Sequence, residues 1–153
     1  MTTHSETRIV PYTADLMYAV VAEVEKYPQF LPWVLDLRVL SREHVKGREV
    51  LMAEMSVGFS ALRERYTSRV ILDSSGRTVD VTQTEGPFRQ LENHWRFTSQ
   101  GTGCKIEFSI AFEFRSRLLH AIASAAFERV QVKMADAFEA RAKALSQQSA
   151  QQT

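Results

Sequence analysis

The sequence predicts an α+β domain in which an antiparallel sheet curves around one long C-terminal helix. Between Val34 and Arg115 the apolar residues recur with period two and turn residues punctuate them, as in strands joined by hairpins. From Leu119 to Leu145 the period changes to about 3.6, which draws one apolar stripe down a helix. Consecutive hairpins make the sheet antiparallel, and a helix with an apolar stripe must cover one of its faces.

The elements follow in order. Glu6 to Pro11 reads as a short strand. Thr13 is placed to cap a helix whose first turn holds Asp15, where a carboxylate meets the positive end of the helix dipole. Leu16, Met17, Val20, Val21 and Val24 continue at helical spacing until Pro28 ends the run. In Tyr27-Pro28-Gln29-Phe30-Leu31-Pro32-Trp33, aromatics and prolines are too dense for a long regular element. Strands are then expected at Val34 to Glu43, Arg48 to Val57, Phe59 to Asp73, Thr78 to Glu85, Phe88 to Ser99 and Cys104 to Arg115. Ser74-Ser75-Gly76 and Gln100-Gly101-Thr102-Gly103 supply hairpin turns, and Gly58 suggests a bend or bulge. The last strand is the clearest: Cys104, Ile106, Phe108, Ile110, Phe112 and Phe114 share one face.

A final helix from Arg117 to Leu145 would run roughly 40 Å and needs a partner surface of that length. Ala121, Ala123, Ala125 and Ala126 fill less volume than Leu or Phe, so a sheet wrapped around this helix can keep a cavity. Residues 1–145 therefore form a single domain, and Ser146 to Thr153, polar and repetitive, is expected to be a disordered tail.

Composition narrows the function. With 153 residues and 44% apolar content the chain buries a core without staples, and its one cysteine excludes a disulfide framework or a Cys/His zinc site. Nineteen basic against eighteen acidic residues give a net charge of +1, so no overall field draws the chain to DNA. His4, His44, His94 and His120 show no metal-ligand spacing, so no metal is expected. No Gly-x-Ser-x-Gly elbow is present, Cys104 falls on an apolar strand face, and no nucleophile, base and oxyanion set emerges; no catalytic residue is assigned and a non-enzyme is expected. No apolar run approaches the ~18 residues of a spanning helix, and Met1 to Arg8 lacks the pattern of a signal peptide, so a cytoplasmic location is expected.

Five blocks in order carry a resemblance: Tyr27-Pro28-x-Phe30-Leu31-Pro32-Trp33; Gly58-Phe59-x-x-Leu62-x-Glu64-x-Tyr66-Thr67-Ser68-Arg69-Val70; Gly86-Pro87-Phe88-Arg89-x-Leu91 with Trp95 and Phe97; the Cys104 to Phe114 strand; and Phe138-Glu139-x-Arg141-Ala142. With these, nearly the whole chain resembles the START-like, helix-grip superfamily of polyketide cyclases and lipid-transport proteins. Within it, the chain is similar to the coenzyme Q-binding proteins and their bacterial relatives, which include a ribosome-association toxin. Relatives often carry a cysteine directly after the aromatic of the Leu-Pro-aromatic segment; Val34 stands there in this chain, so any role of that thiol is absent.

The resemblance implies a pocket between sheet and long helix that holds an isoprenoid quinone, ubiquinone being a bound ligand rather than a cofactor, with a carrier's role in respiration and a place at the periphery of the inner membrane. Such a site needs few donors, aromatic faces and a long apolar wall. Phe30, Leu31, Trp33, Phe59, Tyr66, Arg69, Phe88, Trp95, Phe97, Phe108, Phe112, Phe127, Val130 and Met134 are the expected pocket residues, with His94 as a further donor. A radius of gyration near ~15 Å means that a long polyprenyl tail must fold back or protrude. The resemblance leaves a second reading, a toxin that binds the large ribosomal subunit and blocks subunit joining, and a weaker third, a cyclase-like enzyme.

Three segments have two readings each. Tyr27 to Trp33 is either a lip that docks on a membrane surface or a loop that plugs the end of the core. Arg63, Arg65 and Arg69 share strand parity; they contact anionic lipid or ribosomal RNA phosphate, or form a solvated face balanced by Glu54 and Glu107. Gly86-Pro87-Phe88-Arg89 lacks the make-up of a phosphate loop and reads as a strand-entry turn that sets Phe88 and Arg89 near the pocket mouth.

Overall fold

The computed structural model describes the backbone of residues 1–59 and 62–152 and the side chains of residues 1–58 and 62–148. The chain runs through β1 (Thr2–Val10), α1 (Ala14–Ala22), a 3₁₀ turn (Val24–Gln29), β2 (Val34–Val45), β3 (Arg48–Phe59), β4 (Leu62–Asp73), β5 (Thr78–Glu85), β6 (Phe88–Gln100), β7 (Gly103–Phe114) and α2 (Arg117–Gln152). The seven strands form one sheet in the order β1-β7-β6-β5-β4-β3-β2, antiparallel throughout. Strands β2 to β7 are a meander of successive hairpins, and β1 closes the far edge against β7. This is the α+β architecture expected from the two periods, in the helix-grip form that the resemblance implies.

Strand β1 starts at Thr2, earlier than the expected Glu6, because Thr2 to Val10 pairs residue by residue with Phe112 to Cys104. Its inward positions are polar, which hides the strand from a hydrophobic pattern. Those groups are satisfied by α2 and by one another: Thr2 Oγ1 lies 2.6 Å from Ser124 Oγ, and Arg8 donates to Asp136 Oδ1 at 2.8 Å and, within β1, to Glu6 Oε2 at 3.1 Å. Thr13 caps α1 as expected, its hydroxyl accepting from the Leu16 amide at 3.2 Å. That helix stops at Ala22, before Pro28, and the Tyr27 hydroxyl donates to the carbonyl of Val21 that the broken helix leaves open. Helix α2 continues to Gln152 where a disordered tail is expected from Ser146; the segment has no Gly or Pro to stop it, and Ala and Gln are good helix formers. Gly58 is neither bend nor bulge but pairs regularly with Arg63; the register shifts fall instead at Val34/Asp36, Val39/Ser41, Thr67/Ser68 and Phe88/Gln90.

The apolar interior divides in two. The larger core lies between the sheet, α1 and the C-terminal half of α2, and is centred on Phe138, whose ring is met by Tyr27 and Phe30 at 5.4 Å and Trp95 at 5.0 Å. Cys104 is fully buried there, and burial pushes its thiol above the usual range, so it packs rather than reacts. The smaller core, Phe88, Leu91, Phe112, Phe114 and Ala123, lies under the first turns of α2. Among the described residues, no helix is long and apolar enough to cross a membrane.

Because Phe138 is the common neighbour of three rings from two segments, Phe138→Ala is expected to cost about 3–5 kcal/mol of stability, read as a lowered midpoint in urea unfolding.

Candidate functional site

At the smaller core the sheet and α2 part, leaving a cavity of about 160 Å³. Its walls come from Trp33 ahead of β2, Met55, Val57 and Gly58 on β3, Leu62 and Tyr66 on β4, Phe88 and Leu91 on β6, and Ile110, Phe112 and Phe114 on β7. The roof is α2, through Ala123, Ala126, Phe127, Val130 and Met134. Cross-strand register sets the walls: Met55 faces Tyr66, Leu91 faces Phe112 and Phe88 faces Phe114. The irregularity between Phe88 and Gln90 turns both Phe88 and Leu91 inward, which strict alternation forbids. Edge contacts hold the rings, Phe112 to Phe127 at 5.2 Å and Tyr66 to Phe88 at 5.1 Å. Gly86, at φ 148, lets the β5–β6 turn pass directly over Tyr66, since a Cβ there would stand 2.6 Å from the Tyr66 Cβ. Trp33, Met55, Val57 and Leu62 on one bank and Ala126, Phe127 and Met134 on the other are only partly buried, so the mouth opens between α2 and the β3–β4 hairpin.

The wall is apolar, with two exceptions. Only Tyr66 and Trp33 among the lining side chains can donate a hydrogen bond. Burial alone pushes the Tyr66 phenol well above its ordinary value, and it has no hydrogen-bond partner among the described residues. Two residues along β4, on the same face, the buried Ser68 hydroxyl also lacks a partner. Among the described residues Ser68 thus holds the buried unpaired hydroxyl, while Tyr66 is part-buried in the cavity wall.

Of the expected pocket residues, Trp33, Tyr66, Phe88, Phe112, Phe127, Val130 and Met134 line the cavity. Phe30, Leu31, Trp95, Phe97 and Phe108 do not; they belong to the larger core, where the Trp95 indole donates to Asn93 Oδ1 at 3.0 Å and Phe97 meets Tyr18 at 6.3 Å. They lie on the predicted face but towards its other end, and a period of two reports a face without reporting position along it. Arg69 is exposed on the outer face, as alternation from the inward Tyr66 and Ser68 requires. His94 is also on the outer face, paired with Asp80 at 2.6 Å. The side chain of Phe59 is outside the described residues. Met55, Val57, Gly58, Leu62, Leu91, Ile110 and Phe114 are wall residues that the sequence did not single out; register would have been needed to find them. The alanine signal divides cleanly: Ala123 and Ala126 face the cavity, and Ala121 and Ala125 face solvent.

The structure decides between the two readings of Tyr27 to Trp33. The Tyr27 and Phe30 rings turn inward onto Phe138, Arg141 stacks 5.4 Å over Phe30, and Leu31 is buried, so the segment plugs the core and is not a projecting lip. Arg63, Arg65 and Arg69 are exposed, and their expected partners are engaged elsewhere, Glu54 with Arg38 and Glu107 with Lys105. Phe88 reaches the cavity, while Arg89 is exposed beside Glu113 at 3.6 Å.

The architecture is a curved sheet that grips a long helix over an apolar cavity. The chain belongs to the family described as polyketide cyclase / dehydrase and lipid transport, whose model matches residues 10–139. It is 32% identical over 146 residues to the ribosome association toxin RatA of Rickettsia prowazekii, covering 94% of this chain and 97% of that one. It is 35% identical over 143 residues to the mitochondrial coenzyme Q-binding protein COQ10 homolog B of Xenopus laevis, covering 91% of this chain and 57% of that one. The solved structure of the 18 kDa protein CC1736 from Caulobacter crescentus matches with a TM-score of 0.80 and 39% identity, over 95% of this chain and 99% of that one. The Zhui aromatase/cyclase of a Streptomyces species shares the fold with a TM-score of 0.78 at 22% identity, over 93% of each chain.

Burial favours the neutral phenols of Tyr27 and Tyr66, whose values rise above that of an unfolded tyrosine. The stability they protect is therefore complete below about pH 10 and falls as pH rises past it, by up to about 1.4 kcal/mol per pH unit for each group. Alkaline urea titrations should show this slope, and the Tyr27→Phe/Tyr66→Phe pair should flatten it.

Proposed function

We propose that the cavity binds a polyprenyl quinone of the ubiquinone kind, and that the protein is a non-enzymatic carrier or chaperone supporting quinone function in respiration. One observation carries this: an apolar cavity of about 160 Å³ with a single unpartnered phenol in its wall. A dry cavity of ~150 Å³ accommodates a benzene ring, so the space suits one ring or the first part of a tail, with the rest leaving through the mouth. A quinone carbonyl accepts a hydrogen bond and offers none, which matches a phenol that burial keeps protonated. Trp33 stands at the mouth as the second donor. The likeness to a protein named for coenzyme Q binding supports the choice of ligand. Among the lining residues Tyr66 is the only titratable side chain, so the wall supplies no nucleophile and base pair, and this favours binding over a cyclase-like reaction.

A second reading, ribosome association through the large subunit, is favoured by Arg63, Arg65 and Arg69 standing exposed without carboxylate partners among the described residues, and by the likeness to a ribosome association toxin. It requires co-sedimentation with ribosomal particles that weakens as salt rises.

Protein purified from membrane-containing cells should yield quinone in an organic extract, visible as its ultraviolet band. An empty extract, with no quenching of Trp33 or Trp95 fluorescence on adding quinone, overturns the reading. Tyr66→Phe should weaken quinone binding about tenfold, the worth of one hydrogen bond, and Ala126→Leu should abolish it by filling the cavity while leaving the fold intact.

A further inference from the structure

The cavity can give hydrogen bonds but has almost nothing with which to receive them. Three side-chain acceptors stand close to its wall, and each is engaged by a neighbour. Gln83 Oε1 accepts from the Phe88 amide at 3.0 Å while its Nε2 donates to the Phe88 carbonyl at 2.9 Å, a two-point contact that fixes which way the amide faces. Asn93 Oδ1 accepts from the Trp95 indole at 3.0 Å, and its Nδ2 donates to the Ser109 carbonyl at 2.9 Å. His120, its ring 5.9 Å from that of Phe112, accepts from the Phe114 amide through Nδ1 at 3.3 Å. Ser68 is unpartnered, but it is sealed at 4% exposure and does not line the cavity. Glu64, the carboxylate two residues before Tyr66, lines the groove beside Arg63 and Arg65 instead. The backbone carbonyls of the walls are committed to the strand ladders and to α2. Among the described lining residues this leaves the Tyr66 hydroxyl as the one strong side-chain acceptor, and it is also the donor.

A quinone and its quinol differ by two electrons and two protons, and therefore in the sense of the hydrogen bonds they make. Each quinone oxygen only accepts, whereas each quinol oxygen carries a proton that needs an acceptor. With one ring oxygen at Tyr66 and the para oxygen at the mouth beside Trp33, the phenol donates to the quinone and no donor is left over. In the same pose a quinol brings a second O–H to the phenol. Two donors then meet across a single contact; one is bonded and the other stays in the apolar wall without a partner. The phenol cannot escape this by ionising, because burial keeps it protonated.

We infer that the site reads the oxidation state of its ligand, holding the oxidised quinone about tenfold or more tightly than the quinol, the factor that one buried donor left unpaired imposes. The inference rests on the reading that the cavity binds a quinone ring, and it adds which member of the redox pair is carried. Tighter binding of the oxidised form lowers the midpoint potential of the bound couple, by about 30 mV for each tenfold of preference in a two-electron couple.

The test compares the two forms of one ligand, a ubiquinone with two isoprene units, by equilibrium dialysis against the full-length protein under argon, with the quinol prepared by borohydride reduction. The quinone should bind about tenfold or more tightly, and redox titration of the bound ligand should give a midpoint about 30 mV or more below that of the free ligand. Tyr66→Phe should lose about tenfold in quinone affinity and little in quinol affinity, which brings the ratio close to one. Met55→Gln sets an amide directly across the strands from Tyr66 and should strengthen quinol binding several-fold, with a thermal midpoint close to the parent's. Equal affinities, a tighter quinol, or a ratio unchanged in both variants overturns the inference and leaves the quinone reading standing. Binding of neither form overturns both.

Discussion

Everything in this fold depends on how a long straight helix meets a sheet that curves. Helix α2 must bury an apolar stripe along its length, yet a twisted sheet offers good contact only over part of that length. Contact is made at two places, around Phe138 near one end and around Phe112 and Phe127 near the other. The cavity lies at the second place, walled by Phe112 and Phe127 themselves. It persists because the residues that would fill it from the helix are Ala123 and Ala126, and the ring packing on either side is too dense to collapse inward.

The same constraint explains the polar face of β1. An edge strand against the flank of a helix is half wet, and apolar side chains there would gain little. Thr2, Glu6 and Arg8 instead use hydroxyl and ion-pair contacts with Ser124, Asp136 and Glu139, which fix the helix laterally without adding bulk beneath it. The helix is thus located by polar contacts along one side and by aromatic packing below, and its other side is free to border the mouth.

Most of the fold was legible because its signals are local. The period of β7, the turn at Gly76, the Thr13 cap and the stripe on α2 each sit within a few residues of one another. The site was legible in part. Trp33, Tyr66, Phe88 and Phe127 followed from aromatic content within the resembling blocks, and the alanines of α2 marked where volume is missing. Trp95, Phe97 and Phe108 looked equivalent to them, since all face inward; only the strand register and the packing of Phe97 on Tyr18 and of Trp95 on Phe138 place these in the larger core. Arg69 was misplaced for a related reason: its charge suggested a donor, but its parity with Arg63 and Arg65 already assigned it to the outer face. The register shift at Phe88/Gln90 leaves no mark in the sequence, yet it brings both Phe88 and Leu91 to the wall.

The burial of Cys104 bears on the chemistry of the proposed ligand. Quinones are electrophiles that add thiolates, and they cycle through states that generate oxidants. The chain's one thiol is held protonated on β7, opposite Val10 and Ser99, away from the cavity wall, and the position beside Trp33 holds Val34 rather than a second sulfur. A wall so arranged would offer no thiolate to a quinone bound as proposed.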